Sequence, residues 1–150
     1  MDASTQLASA ANERELFRAC IQKWPMLLDY KVPSIMLAKL LDMAVGELND
    51  SPELANNALC DTIVALMLRT YRVEPGCPAI SPTAYASALR VAKLCLMFAS
   101  TREHLVLALD DNRDKIEHGS RAYPHETWAA CDELIRAASR WREHMSCVWD

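Results

Sequence analysis

Prolines divide this sequence into segments in which apolar residues recur every three or four positions. That spacing is typical of amphipathic α-helices, because residues three and four apart lie on one helix face. Only 3 of the 150 residues are glycine, whereas strands and tight turns usually require more glycine, threonine and valine. The sequence therefore predicts an all-α fold, a compact bundle of five to six helices forming a single helical domain over residues 1–150.

The first two predicted helices are bounded by prolines. One spans about Thr5 to Trp24 and stops at Pro25, because proline cannot donate the backbone hydrogen bond of a helix interior. The second begins at Pro33, since proline is favoured in a first turn, and it fades over residues 46–49.

Serine followed by proline marks the start of two further helices. Ser51 and Ser81 each precede a proline, and in this combination serine caps the helix while proline takes its first position. The helix that starts at Ser51 is predicted to reach about Arg72. Residues 73–81 contain two prolines and a glycine and form the clearest loop of the sequence.

The helix after this loop is predicted to lie at the centre of the bundle. Over residues 84–99 the few positions without apolar character are Ser87, Arg90 and Lys93, which are three apart on one stripe. A helix that is apolar over most of its circumference is usually surrounded by other helices.

Two more helices complete the predicted bundle. Ser100 and Glu103 fit a capping box, in which each side chain accepts a hydrogen bond from a free backbone N–H of the first turn. A fifth helix is therefore predicted from Ser100 to Gly119, and Pro124 opens the last helix.

Charge and hydropathy limit the classes of function. The net charge of −4 argues against a protein that coats DNA through many phosphate contacts, so no DNA partner is expected, although a local basic cleft for RNA is compatible with it. Residues 91–99 are the most apolar stretch and are too short to cross a bilayer. No signal peptide is recognised at the N-terminus. A cytoplasmic protein without a membrane partner is expected.

The six cysteines show no Cys-x-x-Cys pair and no cysteine–histidine ligand pattern. Five of them lie inside apolar helical segments. They are predicted to be buried, reduced thiols, and neither a metal site nor a cofactor is expected.

One short segment suggests a chemical activity. Residues 113–119 read Arg-Asp-Lys-Ile-Glu-His-Gly and lie between an alanine- and leucine-rich helix and a last amphipathic helix. The segment resembles the signature of the HEPN superfamily of small helical domains, in which an arginine and a polar residue are followed after a few positions by a histidine. Arg113, Asp114 and His118 occupy those positions here.

The resemblance implies metal-independent RNA cleavage by a toxin or a defence-related ribonuclease. His118 would transfer the protons, Arg113 would stabilise the charge of the phosphorane-like transition state, and Asp114 would orient the imidazole. Neighbouring polar side chains are expected to bind the RNA, namely Asn112, Lys115 and Arg121.

Helix geometry restricts how such a site can be built. Asp114 and His118 are four apart and differ by about 40° in azimuth, so they can touch, whereas Arg113 and His118 differ by about 140° and point apart. A single straight helix cannot aim both at one phosphate. Catalysis would therefore need a distorted helix or a composite site in a homodimer.

The same residues also suit a simple helix ending, because cations favour a last turn and glycine favours the position after it. The rival hypothesis is a non-enzymatic helical protein–protein interaction module, such as a regulator, an adaptor or an anti-defence factor. Leu107, on the outward face of the fifth helix, indicates a protein partner or a second copy of the chain. Arg136, Arg140 and Trp141 on the last helix could contact RNA or an acidic partner.

Overall fold

The chain folds into helices around one apolar core, as its shortage of glycine predicts. The computed structural model describes residues 3–70 and 78–149, with side chains described over residues 13–70 and 78–145. Within these ranges the chain forms seven α-helices and two short 3₁₀ helices and contains no strand. The all-α prediction is confirmed, but the expected count of five to six helices is wrong because the predicted fifth helix is divided into two.

The α-helices are α1 (Ala3–Gln22), α2 (Ser34–Asp50), α3 (Asn57–Met67), α4 (Pro82–Met97), α5 (Ala99–Asp111), α6 (Arg113–Ser120) and α7 (His125–Trp149). The 3₁₀ helices are Trp24–Leu28, which contains Pro25, and Pro52–Leu54. None of the helices in the described ranges combines the length and the apolar character needed to cross a membrane.

The helix predicted at the centre of the bundle does occupy that place. α4 packs against α2, α3, α5 and α7. Ala84, Ala88 and Ala92 follow one another at intervals of one turn and are fully buried. Small side chains at these positions let the neighbouring helices approach closely. The central position predicted for residues 84–99 is therefore confirmed.

The polar stripe predicted on α4 is partly wrong, because Ser87 is fully buried. Its hydroxyl donates a 2.7 Å hydrogen bond to Oδ1 of Asp42 on α2. Arg90 also contacts Asp42, with 2.7 Å between Nη2 and Oδ1. Burial acts to raise the pKa of the Asp42 carboxyl, but the hydrogen bonds from Arg90 and Ser87 and the charge of Arg90 lower it overall. The buried serine and the exposed arginine thus join α4 to α2.

Of the two predicted serine caps, one is confirmed and one is wrong. Ser81 accepts a hydrogen bond at 3.2 Å from the backbone N–H three positions along. Ser51 makes no capping bond, because the 3₁₀ helix Pro52–Leu54 follows it. α3 is capped by Asn56 instead, whose Oδ1 accepts from the N–H of Leu59 at 2.9 Å. α3 starts later than predicted and also ends earlier, well before the expected end near residue 72.

The loop predicted at residues 73–81 lies largely outside the described residues. Its described part, residues 78–80, is not helical. There the N–H of Ile80 donates a 3.0 Å hydrogen bond to the carbonyl of Arg69. Tyr123, just before α7, donates from its hydroxyl to the Ile80 carbonyl at 2.7 Å.

α4 and α5 follow each other almost without a linker. Side chains of α5 donate hydrogen bonds to the last carbonyl groups of α4. The hydroxyl of Thr101 donates to the carbonyl of Cys95 at 2.7 Å. Arg102 donates to the carbonyls of Leu96 and Met97 at 2.9 and 2.8 Å. Carbonyls of a last turn have no partner within their own helix. This junction therefore satisfies them with side chains from the next helix.

The predicted capping box at Ser100 and Glu103 is wrong. α5 begins one residue earlier, at Ala99, and Phe98 occupies the capping position without a side-chain hydrogen bond. A new helix does start near the predicted place, but the contacts that define the junction are those between α5 side chains and α4 carbonyls.

α5 and α6 are separated at Asn112, which divides the predicted fifth helix. The backbone of Asn112 has φ −114° and ψ 11°, and its Nδ2 donates to the carbonyl of Ala108 at 2.9 Å. Asparagine side chains that bond to nearby backbone compete with helix continuation. Arg113 is consequently the first residue of α6, and Gly119 is buried inside that helix rather than beyond its end.

Candidate functional site

The segment that resembles the ribonuclease signature forms α6, an eight-residue helix that packs on α7. Ile116 is its buried anchor, and Gly119 and Ser120 at its end are also buried. The polar residues of this helix predicted for catalysis or RNA binding are exposed, namely Arg113, Asp114, Lys115 and His118.

Arg113 is turned toward α7 and not toward the histidine. Its Nε donates to Oε1 of Glu117 at 3.1 Å, and its Nη1 donates to Oγ of Ser139 on α7 at 3.5 Å. His118 is five positions along the same regular helix, about 140° away in azimuth. One chain therefore does not bring these two side chains together. The cavity beside Arg113 has a volume of about 10 Å³, which is room for one water molecule.

Asp114 and His118 can share a face of α6, as the sequence predicts. Within the described part of the chain neither side chain makes a hydrogen bond or an ion pair, and both are exposed. They are available to an external group, although the arginine of the same chain does not contribute to that surface.

Two of the residues expected to bind RNA are engaged within the chain. Nη1 and Nη2 of Arg121 donate to the two carboxylate oxygens of Asp132 at 3.1 and 3.0 Å, and its guanidinium lies 4.1 Å from the ring centroid of Trp128. Asn112 is engaged at the helix break described above. Lys115 is exposed. The three residues are thus not gathered around a common cavity.

A much larger space lies between α4 and α7, a groove with a volume of about 940 Å³. Its apolar lining comes from both helices, namely Ala86, Leu89, Leu96, Met97, Ala130, Leu134 and Ala137. All three of these leucines are largely buried in the core, whereas Met97 is 62% exposed. The solvent-accessible apolar lining of the groove is therefore provided mainly by Met97 and Ala130, above the buried leucines.

α4 and α7 run in the same direction along this groove. Near the start of α4 the hydroxyl of Tyr85 lies 3.6 Å from Sγ of Cys131 on α7. At the other end Arg102, next to the end of α4, lies 4.0 Å from the ring centroid of Trp141. The α7 residues that line the groove extend from Glu126 to Trp141, a length of about 22 Å at the rise of an α-helix.

The lining of the groove is positively charged, although the chain is acidic. It contains five cationic side chains and two carboxylates, whereas the whole chain has a net charge of −4. The cations are Arg90, Lys93, Arg102, Arg136 and Arg140, and the carboxylates are Glu126 and Glu133.

Three of these cations are uncommitted. Arg90 is paired with Asp42, and Arg102 is bonded to the α4 carbonyls. By contrast, Lys93, Arg136 and Arg140 are exposed, and their side chains form no ion pair or hydrogen bond with any residue in the described ranges. Lys93 stands on α4 and the two arginines on α7, so both walls of the groove carry free positive charge.

Three residues predicted to contact a partner lie on the α7 wall of the groove, whereas no residue of the α4 wall was predicted to belong to a site. Arg136, Arg140 and Trp141 were predicted to contact a partner, and all three line the groove. Lys93 and Met97 on α4 were not recognised as part of a site. The spacing of the polar residues shows which face of α4 is polar, but it does not show that α7 lies beside that face. Leu107, the other predicted partner contact, is half-buried on α5 and does not line the groove.

The cysteines whose side chains are described are buried, and three of them have a raised pKa. Cys20, Cys60, Cys95 and Cys131 are free and buried, as predicted, while the side chains of Cys77 and Cys147 lie outside the described residues. Burial raises the pKa of the Cys20 and Cys131 thiols. The neighbouring Cys60 thiol and burial raise the pKa of Cys95. A thiol with a raised pKa stays protonated at neutral pH and is a poor nucleophile.

No family model, curated protein sequence or solved structure matches this chain.

Proposed function

We propose that this chain is a non-enzymatic helical interaction module that receives an amphipathic α-helix of a protein partner in the groove between α4 and α7. The observation that carries the proposal is the apolar lining of that groove, which includes the 62% exposed side chain of Met97. Covering apolar surface removes it from water and stabilises the complex. The groove therefore supplies a surface on which association is favourable.

The shape of the groove suits a helix better than an extended segment. Its two walls are neighbouring helices that run in the same direction, and their side chains form ridges between which a third helix can pack. The length of about 22 Å corresponds to roughly 15 helical residues, or four turns. A helix also satisfies its own backbone hydrogen bonds, so it can be placed on an apolar floor that offers no backbone partners.

Binding of a neutral amphipathic peptide tests this function. The probe is a fluorescein-labelled helical peptide of about 18 residues, with leucines at positions i, i+3, i+4 and i+7 and glutamines elsewhere. We expect Met97→Gln and Ala130→Gln each to weaken its binding by about threefold to tenfold, because each places an amide on the apolar lining. Fluorescence anisotropy gives the dissociation constants. Both positions are exposed, so the fold is retained.

The matched control is Ile35→Gln on α2. The Ile35 side chain is 75% exposed and lies outside the groove. The substitution removes an exposed apolar side chain similar in size to Met97, and it should leave the affinity for the peptide unchanged. The proposal fails if the wild-type protein does not bind the peptide, or if Ile35→Gln weakens binding as much as Met97→Gln.

A second candidate is the metal-independent RNA cleavage that the resemblance to the HEPN superfamily implies. The exposure of Asp114 and His118, without partners among the described residues, supports it. Because Arg113 of the same chain is bonded to Glu117 and Ser139, the arginine would come from a second copy. The site would then be composite, with His118 of one chain facing Arg113 of the other.

Complementation between inactive variants tests this candidate. Arg113→Ala and His118→Ala should each abolish cleavage of a labelled RNA, whereas His125→Ala, which changes another exposed histidine, should not. Mixing the two inactive variants should restore about a quarter of the wild-type rate, because half of the dimers are mixed and each of these has one intact site of two. Absence of RNA cleavage by the wild-type protein would exclude the nuclease, and activity without complementation would exclude the composite site.

A further inference from the structure

We infer that the partner helix of the α4–α7 groove is acidic, with glutamate or aspartate on both flanks of its apolar stripe. The inference rests on the proposed function, that the groove receives a helix, and adds the charge of the occupant. It follows from where the uncommitted cations stand relative to the apolar lining.

The three uncommitted cations lie in the same half of the groove. Tyr85 of α4 is level with Cys131 of α7, and the end of α4 is level with Trp141. Lys93, two turns beyond Tyr85, is therefore nearly level with the stretch from Arg136 to Arg140. Their charges face each other across the apolar floor near Trp141.

The two carboxylates of the lining precede the two uncommitted arginines along α7, and Glu133 lies one turn before Arg136. Glu126 and Glu133 belong to the earlier turns of α7, whereas Arg136 and Arg140 belong to its later turns. The groove thus has an acidic end and a more strongly basic end. A helix that fits it would carry its acidic residues beside the Trp141 end, where they meet cations on both walls.

The cationic side chains also extend the apolar surface. The methylene groups of lysine and arginine can lie along an apolar wall while the charged group stays in water. An acidic helix would bury its leucines against the floor and keep its carboxylates at the rim, where water remains. Such rim pairs are each weak, but they exclude basic partners and accelerate encounter.

The lining favours a protein helix over a nucleic acid. Leu96, Met97 and Leu134 form an apolar floor beneath the cations, which offers no hydrogen bond to phosphate or sugar oxygens. Glu126 and Glu133 would repel a phosphate backbone that followed the whole length of the groove. Neither feature opposes a helix with an apolar stripe and acidic flanks at one end.

Three peptides with one leucine stripe test the charge of the occupant. Their flanking positions carry glutamate, glutamine or lysine, and binding is measured by anisotropy at low ionic strength. We expect the glutamate peptide to bind about tenfold more tightly than the glutamine peptide, from several weak ion pairs, and the lysine peptide to bind least. The preference should shrink with added salt, because exposed charges are screened.

Charge reversal on α7 localises the effect. Arg136→Glu combined with Arg140→Glu should remove the preference for the glutamate peptide and favour the lysine peptide. The control is Arg14→Glu combined with Arg18→Glu, which changes the net charge equally, at the same spacing, on exposed positions of α1 outside the groove. The control should bind all three peptides as the wild type does.

The outcomes separate this inference from the function on which it rests. Equal binding of the three peptides would overturn the acidic partner and leave the groove as a helix site. Binding of none would overturn the function itself. Displacement of the peptide by a polyuridylate oligonucleotide, lost in the Arg136→Glu, Arg140→Glu variant, would assign the cations to RNA and overturn the inference. A dimer in light scattering that only this variant dissociates would make a second copy the occupant, and would overturn it as well.

Discussion

Replacement of Trp24 by alanine is expected to lower the free energy of unfolding by about 3–5 kcal/mol. The indole is 1% exposed, and its Nε1 donates a 3.1 Å hydrogen bond to the carbonyl of Leu54. This bond joins the two 3₁₀ helices that precede and follow α2. Alanine would leave a cavity and an unpaired carbonyl. Because domains of this size are stable by about 5–15 kcal/mol, urea denaturation followed by circular dichroism should resolve the loss clearly.

Two variants separate the causes of this loss. Trp24→Phe keeps most of the buried ring and removes only the donor to Leu54, so it should cost about 1–2 kcal/mol. Trp128→Ala removes the same side chain from a half-buried position under Arg121, and it should cost less than about 1.5 kcal/mol. Similar losses at Trp24 and Trp128 would contradict a core role for Trp24.

The same tryptophan shows what the sequence could not predict. Its spacing with other apolar residues placed it at the end of the first helix, yet it begins a 3₁₀ helix after α1 has ended. The backbone conformation at Trp24 depends on its burial against residues far along the chain. The apolar periodicity of the sequence does not reveal these contacts. The helix starts at Pro33, Ser81 and Pro124 were predictable, because the caps and prolines that produce them act within one turn.

The helix boundaries that sequence reasoning missed depend on contacts between elements or on competing side chains. Ser51 and Asn56 are both good capping residues, but a 3₁₀ helix follows Ser51 and the side chain of Asn56 makes the capping bond of α3. Asn112 breaks the predicted fifth helix through a bond to its own preceding turn. Asparagine is tolerated within many helices, so its presence alone did not predict a break there.

The candidate sites likewise have some features that could be predicted from the sequence and others that could not. The divergence of Arg113 and His118 was predictable from their spacing, since it depends only on helix geometry. The sequence predicts a contact with RNA or an acidic partner at Arg136, Arg140 and Trp141, which lie within two turns of α7 and line the groove. The groove itself was not predictable, because it exists only where α4 lies beside α7, with residues 86–97 facing residues 126–141.

Arg102, at the junction between α4 and α5, contributes both to the stability of the fold and to the lining of the groove. We expect Arg102→Ala to lower the free energy of unfolding by about 2 kcal/mol, because two carbonyls at the end of α4 lose charge-assisted hydrogen bonds. Trp141 would also lose the guanidinium that lies 4.0 Å from its ring centroid. The glutamate peptide should consequently bind several-fold more weakly to folded Arg102→Ala protein, since the wall formed by Trp141 is no longer held in place.

Comparison with two other variants distinguishes positioning from charge. Arg102→Lys keeps the positive charge but lacks the planar guanidinium that reaches both carbonyls and lies over the indole, so it should restore little stability or affinity. Arg142→Ala removes an arginine next to Trp141 whose Nε is 3.9 Å from a carboxylate oxygen of Asp110, and it should cost less than about 0.5 kcal/mol. Full recovery by lysine would mean that Arg102 acts through its charge alone. Equal losses at Arg102 and Arg142 would mean that the α4 carbonyls contribute nothing specific. If neither result is obtained, the fold and the groove both depend on the guanidinium of Arg102. It donates to the last carbonyls of α4, and it also holds Trp141 at the basic end of the groove.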